Sequence, residues 1–353
     1  MSPRHRHPPL QPWQIDAPHR FAALGRFRLE SGETIDDFHA CYVTHGRLSE
    51  ARDNAILVCA AIGQSHHRLD FLIGPGRALD PDRFFIVAID AIGNGLTTSP
   101  STSTTQPHTA FPRFTIRDMV ASQHAVLTRT LGIDRLYAVV GASMGGMQAL
   151  QWAVSHPGMM RTIVAMTPMA RTAPWAVTVN ETCRSALMAD PAWNGERFTG
   201  RPVRGWRAWS GVLRMLANRS PRALAQDCAD RDAALARYAA VVDDTLAMEL
   251  DPLDWIYQSY AYDAHDVAAE ARFGGDLKAA LASITARTLI IAPAMDLYNP
   301  VEAARDAAQL IPGARYLELS TIQGHQAASA AYPADAATID RAIKAFFAED
   351  SSP

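Results

Sequence analysis

Short, continuously apolar runs recur along the chain and predict the strands of a buried sheet. Five such runs, rich in Val, Ile, Leu and Ala, occupy residues 55–61, 84–89, 136–140, 162–166 and 288–292. Strands that are covered on both faces have this pattern, because neither face needs polar side chains. A shorter run at 316–319 predicts a further strand.

Between these runs, apolar residues recur at helical spacing. Residues 115–131 predict an amphipathic helix that Thr115 can cap, with Asp118 at the capping-box position. Three further helices are predicted from 144 to Pro157, from Val301, and over 334–347. Strands that alternate with helices indicate an α/β fold with a mainly parallel sheet and helices on both faces.

Three segments depart from this alternation. Residues 27–30 and 37–43 alternate polar and apolar positions, which predicts a two-strand meander with one wet face. Residues 168–284 contain no buried-strand run and predict a helical insertion. We expect a core of residues 26–167 and 285–353, preceded by a flexible N-terminal arm of residues 1–25.

Composition and charge narrow the class of protein. The 353 residues are 48% hydrophobic and 20% charged, with a formal net charge of −3. This balance is typical of a soluble globular protein and gives no reason to expect nucleic acid or a membrane as partner. The four cysteines are scattered, and the N-terminus lacks the apolar region of a secretory signal, so we expect a cytoplasmic protein.

A glycine-flanked serine stands where the 136–140 strand meets the next helix. The sequence GASMGG covers residues 141–146, which places Ser143 in a G-x-S-x-G motif between strand and helix. In that context the turn is strained, and it exposes the hydroxyl beside a helix N-terminus. Ser143 is therefore a candidate nucleophile.

A serine nucleophile requires a base and an orienting acid, which follow it in the order acid, then histidine. Asp296 follows the 288–292 strand and His325 follows the 316–319 strand, so both are predicted to complete the triad. Asp90 is the nearest competitor for the acid, but it precedes Ser143. His66 and His67 are not predicted to bind metal, because adjacent side chains point apart.

Two backbone N–H groups are predicted to form an oxyanion hole. One belongs to Met144, directly after the nucleophile. The other comes from the loop after the 55–61 strand, with Ile62 preferred and Ala61 as the alternative.

These motifs together resemble the homoserine O-acetyltransferase superfamily of α/β-hydrolases. The matching text is GPG at 74–76, FTIRDM at 114–119, GASMGGMQAL at 141–150, DPAWNG at 190–195, DLY at 296–298 and GH at 324–325. The resemblance covers nearly the whole chain after about residue 25 and supports Ser143, Asp296 and His325 as the triad. It also implies that residues 168–284 form a helical lid and that the protein is a homodimer through that lid.

Other positions depart from the transacetylases or match them only in part. Gln326 stands where those enzymes have an Asp that binds the substrate ammonium, and Ala60 replaces a family histidine. Arg184 matches an arginine that grips the homoserine carboxylate, although a solvated or ion-paired arginine is the equal alternative. Trp255 and Tyr257, with Tyr262, are predicted either to line the acyl pocket or to pack the lid.

The predicted activity is hydrolysis of a small, neutral acetate ester through an acyl-enzyme. No metal or organic cofactor is needed by this chemistry, and the predicted partner is a small-molecule ester. The alternative is an acetyl-CoA-dependent O-acetyltransferase acting on homoserine or another hydroxylated acceptor. A non-enzymatic binding module is the third reading, which the three triad positions disfavour.

Overall fold

A computed structural model of the chain describes residues 9–349. An eight-stranded sheet runs through these residues in the order β1-β2-β4-β3-β5-β6-β7-β8. The strands are β1 (Arg20–Arg28), β2 (Thr34–His45), β3 (Ala55–Cys59), β4 (Phe85–Ile89), β5 (Leu136–Ala142), β6 (Met160–Met166), β7 (Arg287–Pro293) and β8 (Arg315–Leu319). Strands β3 to β8 run parallel, and β2 pairs antiparallel with both β1 and β4.

Within the described part of the chain, ten α-helices surround or extend this sheet. They are α1 (Ile116–Ala125), α2 (Met144–Ser155), α3 (Pro174–Met188), α4 (Val203–Trp209), α5 (Pro221–Asp227), α6 (Arg231–Ala247), α7 (Pro252–Asp263), α8 (Leu277–Ala282), α9 (Val301–Leu310) and α10 (Pro333–Ala348). Helix α1 begins with the predicted capping box, in which Thr115 and Asp118 bond to each other's backbone N–H groups. A π-helical turn, Val126–Thr130, extends it to the predicted end.

The alternation of strand side chains divides the core into two layers. In β3, Ile56 and Val58 face the layer that contains α10, whereas Leu57 and Cys59 face the layer that contains α1, α2 and α7. Because successive strand residues point to opposite faces, a central strand needs apolar residues at every position. This explains why the continuous apolar runs predicted the sheet correctly.

The helical insertion, residues 168–284, lies between β6 and β7 and contains α3 to α8. Within residues 9–349, no helix is both long and apolar enough to cross a lipid bilayer.

The predicted N-terminal arm of residues 1–25 is too long. Strand β1 begins at Arg20, which pairs with Tyr42, and the pairing shifts register on both sides of Gly25. This irregularity hides the strand, because it interrupts the alternation that predicts one. Before β1, Ala17 is buried and the Ile15 N–H donates to Asp70 Oδ2 at 2.8 Å, so this part packs on the core. Residues 1–8 of the arm lie outside the described residues.

Candidate active site

Ser143 occupies a strained turn between β5 and α2. Its backbone has φ 58° and ψ −125°, a conformation that costs a non-glycine residue roughly 1–3 kcal/mol. The turn is held because the Ser143 N–H donates to Met166 O and to Thr167 Oγ1, each at 2.9 Å. A Cβ at Gly141 would come within 2.0 Å of Gly145 O, so the tight strand-to-helix crossing requires glycine there.

Three predicted side chains form one hydrogen-bonded chain. His325 Nε2 lies 2.9 Å from Ser143 Oγ, and His325 Nδ1 lies 2.7 Å from Asp296 Oδ2. All three residues are buried, with relative exposures of 3% to 5%. They follow β5, β7 and β8, whose carboxyl ends meet at one edge of the sheet. This is the geometry that a serine nucleophile, its base and an orienting acid require.

The loop after β7 fixes the Asp296 carboxylate. Its Oδ1 accepts the backbone N–H groups of Tyr298 at 2.9 Å and Asn299 at 3.0 Å, which leaves Oδ2 for His325. Tyr298 also stacks edge-on against the His325 ring, at 5.2 Å between centroids. The imidazole is therefore held by a hydrogen bond and by an aromatic contact.

The Asp90 carboxylate pairs with a different histidine. It lies 2.8 Å from His66 Nδ1 in a buried pair, outside the Ser143 hydrogen-bond chain. Burial opposes its ionisation, but His66 and the hydrogen bonds around it outweigh this and lower the pKa of Asp90. Cys41 lies beside the pair, and their potential ligand atoms fall within 4.8 Å of one another. Burial raises the pKa of the Cys41 thiol, so it stays protonated, and the three residues fit a hydrogen-bonded cluster better than a metal site.

Two backbone N–H groups are available beside Ser143. Met144 is the first residue of α2, and Ile62 and Ala61 line the same cavity as Ser143. Within residues 9–349, neither the Met144 nor the Ile62 N–H donates to another protein group. Both are therefore free to bind an oxygen atom that bears developing negative charge.

Ser143 and His325 open into a cavity of about 320 Å³. The sheet edge contributes Ala61, Ile62, Tyr298 and Gln326, and the helical insertion contributes Trp209, Leu213, Asn218, Met248, Leu250 and Trp255. Of the predicted substrate-binding residues, Trp255 and Gln326 line this cavity. Its charged lining consists of Arg68 and Arg214, with no carboxylate among the described residues.

Arg184 and Tyr257 require a correction, because neither lines the cavity. Arg184 is buried between α3 and α7, where its Nη2 lies 2.6 Å from Asp263 Oδ2 and 2.7 Å from Glu181 Oε2. Its Nη1 donates to Ser259 Oγ at 3.0 Å, so the guanidinium is fully occupied by protein groups. The Tyr257 ring packs against Phe111, and its hydroxyl donates to Thr109 O at 3.3 Å.

Tyr262 and Asn299 lie between Ser143 and the loop that carries Asp296. The Tyr262 hydroxyl donates to Asn299 Oδ1 and lies near the Ser143 side chain. Asn299 Nδ2 donates to Thr167 O at 2.6 Å, next to the contact that holds the Ser143 turn. Asn299 was not predicted from the sequence, although its position three residues after Asp296 was an available signal.

The fold and this site define the class of protein. Residues 54–322 match the family described as the alpha/beta hydrolase fold, and the chain therefore belongs to the α/β-hydrolases. Its relatives in that family carry two kinds of activity. The chain is 35% identical over 318 residues to a homoserine O-acetyltransferase from Nostoc punctiforme, covering 85% of this chain and 89% of the relative.

Esterases match this chain over a similar share of its length, and the structure of one of them has the same fold. The chain is 30% identical over 324 residues to a probable esterase from Corynebacterium glutamicum, covering 88% of this chain and 90% of the relative. It also superposes on the crystal structure of an acetylester hydrolase from Corynebacterium glutamicum with a TM-score of 0.87 and 29% identity, covering 94% of this chain and 96% of that one. The predicted superfamily is thus confirmed, with both esterases and acetyltransferases as relatives.

Proposed function

We propose that this protein is a serine carboxylic ester hydrolase that cleaves short-chain acetate esters of small alcohols. The observation that carries the proposal is the continuous hydrogen-bond chain from Asp296 through His325 to Ser143 Oγ, at the wall of a cavity. The acetylester hydrolase and probable esterase among its relatives support the same chemistry.

In this mechanism Ser143 Oγ attacks the ester carbonyl carbon while His325 Nε2 takes the hydroxyl proton. The tetrahedral oxyanion binds to the Met144 and Ile62 N–H groups, with Ala61 as the alternative donor. Collapse breaks the carbon–oxygen bond of the ester, and the departing alcohol takes the proton from His325. Water then attacks the acyl-enzyme with His325 as base, which releases acetate and restores Ser143.

Three observations favour the ester hydrolase over the homoserine O-acetyltransferase. Gln326 lines the cavity where the acetyltransferases have an ammonium-binding Asp, and a neutral amide cannot neutralise an ammonium. Arg184, the expected carboxylate-binding residue, is already paired with Asp263 and Glu181.

The third observation concerns CoA. A second cavity of about 980 Å³ shares Gly63, Gln64 and Leu250 with the first, so it adjoins the active site. Its charged lining comprises Arg214 and four acidic residues: Asp244, Glu249, Asp251 and Asp254. The phosphates of CoA would have to lie outside the small inner cavity, where the exposed carboxylates of Asp244 and Glu249 repel them. This charge pattern favours a hydrolase.

The acetyl-CoA-dependent O-acetyltransferase remains the second candidate, because a relative at 35% identity carries that name. We further propose that the helical insertion acts as a lid and that the protein is a homodimer through it. Four exposed large apolar side chains of the insertion support this interface: Trp175, Val203, Leu216 and Leu235. The cytoplasm remains the proposed location, consistent with four unpaired cysteines.

A paired assay on the purified protein tests the two activities. One arm follows acetate release from 4-nitrophenyl acetate and ethyl acetate, and the other follows homoserine-dependent CoA release from acetyl-CoA. The proposal predicts ester hydrolysis that Ser143→Ala abolishes and that Ser185→Ala, a change on the exposed face of α3, leaves intact. Rapid homoserine-dependent CoA release with only slight ester cleavage would overturn it in favour of the acetyltransferase.

A further inference from the structure

Arg68 lies in the wall of the active-site cavity. It belongs to a short 3₁₀-helical segment, His66–Leu72, which follows the loop that carries Ala61 and Ile62. The side chain lines the same cavity as Ser143 and His325. An arginine at this position faces whatever substrate the nucleophile attacks.

No protein group neutralises the Arg68 guanidinium. Among residues 9–349 it makes no ion pair, no side-chain hydrogen bond and no cation–π contact. The nearest acids along the chain have other partners: Asp70 Oδ2 lies 2.6 Å from His67 Nδ1, and Asp90 Oδ2 lies 2.8 Å from His66 Nδ1. Burial alone lowers the pKa of Arg68 to about 10, so the group still carries its charge at neutral pH.

Arg68 is half-buried, and a cation that is partly removed from water without a protein partner is costly for the fold. Buried charges in proteins are ordinarily paired, because desolvation without a partner destabilises the folded state. Arg184 illustrates the usual solution, since its guanidinium contacts Asp263, Glu181 and Ser259. Within residues 9–349 Arg68 has no such partner, and a substrate bound in the cavity that it lines can supply one.

The surrounding charges favour an anion at this place. Arg214, the other charged residue of the cavity wall, donates to Thr245 Oγ1 at 2.9 Å and lies 4.0 Å from Asp244. The carboxylates of the adjoining outer cavity do not line the inner one. A small anionic group near Ser143 would therefore meet Arg68 without meeting an acid of the cavity wall.

We propose that Arg68 binds a carboxylate on the alcohol part of the ester, so that the preferred substrates are acetate esters of small hydroxy acids. This inference rests on the proposed acetylesterase function, in which the acyl group is acetyl and cannot itself carry the anion. The planar guanidinium binds a carboxylate through two parallel hydrogen bonds, which also fixes the orientation of the alcohol part. Such a substrate is negatively charged, so it replaces the neutral ester that was expected from Gln326 alone.

Matched substrates test the proposal directly. The specificity constant, kcat/KM, is measured for 3-acetoxypropanoate and for its neutral isostere 3-acetoxypropanamide. We expect the native protein to favour the carboxylate at least about tenfold, and Arg68→Met to bring the ratio near one through a higher KM for the carboxylate. Arg68→Lys should keep part of the preference. Arg222→Met, which removes an exposed arginine of α5 outside the cavity, should keep all of it.

A native ratio near one, or a ratio that Arg68→Met does not change, would overturn the proposal. Preference for monoethyl succinate over 3-acetoxypropanoate would also overturn it, because the carboxylate would then belong to the acyl part. Thermal unfolding of Arg68→Met gives a further check. Loss of an unpaired cation should leave Tm unchanged or raised, whereas a structural role would lower it.

A binding measurement separates this proposal from the proposed function. Calorimetry with Ser143→Ala protein should detect 3-hydroxypropanoate, and the additional Arg68→Met change should abolish the signal. Hydrolysis of the neutral esters with no carboxylate preference and no such binding overturns the Arg68 proposal and leaves the esterase intact. Binding through Arg68 without hydrolysis of any ester overturns the esterase and leaves the anion site intact.

Discussion

At the scale of single residues, the candidate site combines a serine in a strained turn with a carboxylate that is tightly held. Ser143 keeps a positive φ because Met166 and Thr167 fix its N–H group. One carboxylate oxygen of Asp296 accepts two backbone N–H groups, and the other bonds to His325. Because the histidine has no other strong acceptor at Nδ1, the Asp296 carboxylate decides which ring nitrogen carries the proton.

Replacing Asp296 by Asn tests this role. The amide can donate to Nδ1, which places the ring proton on Nε2, where the imidazole can no longer take the Ser143 proton. We expect kcat for 4-nitrophenyl acetate to fall roughly 1,000- to 10,000-fold, with little change in Tm. Steady-state kinetics at pH 7 measure the loss. Asp90→Asn is the matched control and should cost less than about tenfold; a larger loss there than for Asp296→Asn would make Asp90 the acid.

Tyr262 allows a second test with a control on the same helix. Its hydroxyl donates to Asn299 Oδ1 and lies near Ser143, so we expect Tyr262→Phe to remove a group that positions Ser143 and the Asp296 loop. We expect kcat to fall about tenfold, equivalent to about 1.4 kcal/mol, with KM nearly unchanged. Tyr257→Phe removes the hydroxyl that contacts Thr109 O outside the cavity and should change kcat less than twofold. Equal effects of both changes would show that Tyr262 acts only through the packing of α7.

Sequence reasoning can place residues whose position follows from strand order. Ser143, Asp296 and His325 each follow a strand of the parallel sheet, and parallel strands bring their carboxyl ends together. The orientation of the Arg184 side chain could not be predicted in this way, because it depends on how α3 packs against α7. Arg68 was missed for the same reason, since only the structure shows which acids remain available to it.

At the scale of elements, helix α7 is a part of the insertion that contacts the active-site cavity. Trp255 lines the cavity, Tyr262 approaches Ser143, and Asp263 at its end pairs with Arg184 of α3. The side chains of this pair are only 3% and 14% exposed, so solvent screens it weakly. The pair therefore fixes the position of α7, and through it one wall of the cavity.

Breaking this pair should cost stability. Arg184→Met leaves the Asp263 carboxylate without its cation, and such a change in a buried pair typically costs roughly 3–5 kcal/mol. We expect the free energy of unfolding in urea to fall by about that amount, while KM for a neutral acetate ester changes less than about threefold. The double variant with Asp263→Asn should lose less than the sum of the single changes. An unchanged stability with a large rise in KM would instead return Arg184 to the substrate site.

The success of the element predictions also followed the strength of each pattern. Strands β3 to β7 lie under helices on both faces and gave continuous apolar runs. Strand β1 is mostly exposed, carries a register shift at Gly25, and was therefore predicted to begin seven residues too late (27 against Arg20). A half-exposed edge strand has a weak sequence signal, because only one of its faces must be apolar.

At the scale of the whole molecule, buried polar groups as well as apolar packing hold the parts of the insertion together. His265 follows α7, is 4% exposed, and its Nε2–H donates to Met169 O at 3.1 Å, just beyond β6. Burial lowers the pKa of His265 to about 4. Burial also lowers the pKa of His156, at the end of α2, to about 4. Both groups are therefore neutral in the folded protein at pH values where an unfolded histidine is charged.

These shifts make folding stability depend on pH with a defined sign. Between pH 6.5 and 4 the unfolded chain binds protons at His265 that the folded chain does not, so the free energy of unfolding falls as pH falls. A shift from 6.5 to about 4 corresponds to a loss on the order of 3 kcal/mol for the fully buried His265. Burial raises the pKa of Asp254, which acts in the opposite direction over the same range, so the native profile alone cannot isolate one histidine.

A comparison of the native protein with a His265 variant isolates the contribution of this histidine. Denaturant unfolding at pH 7, 5.5 and 4 is compared for the native protein and for His265→Gln, whose side-chain amide can still donate to Met169 O. We expect the variant to lose markedly less stability between pH 7 and 4 than the native protein does. His39→Gln, a change at the surface, should keep the native slope. If His265→Gln also kept the native slope, then His265 would already be protonated in the fold, and its contact with Met169 would not be an acid-sensitive link within the insertion.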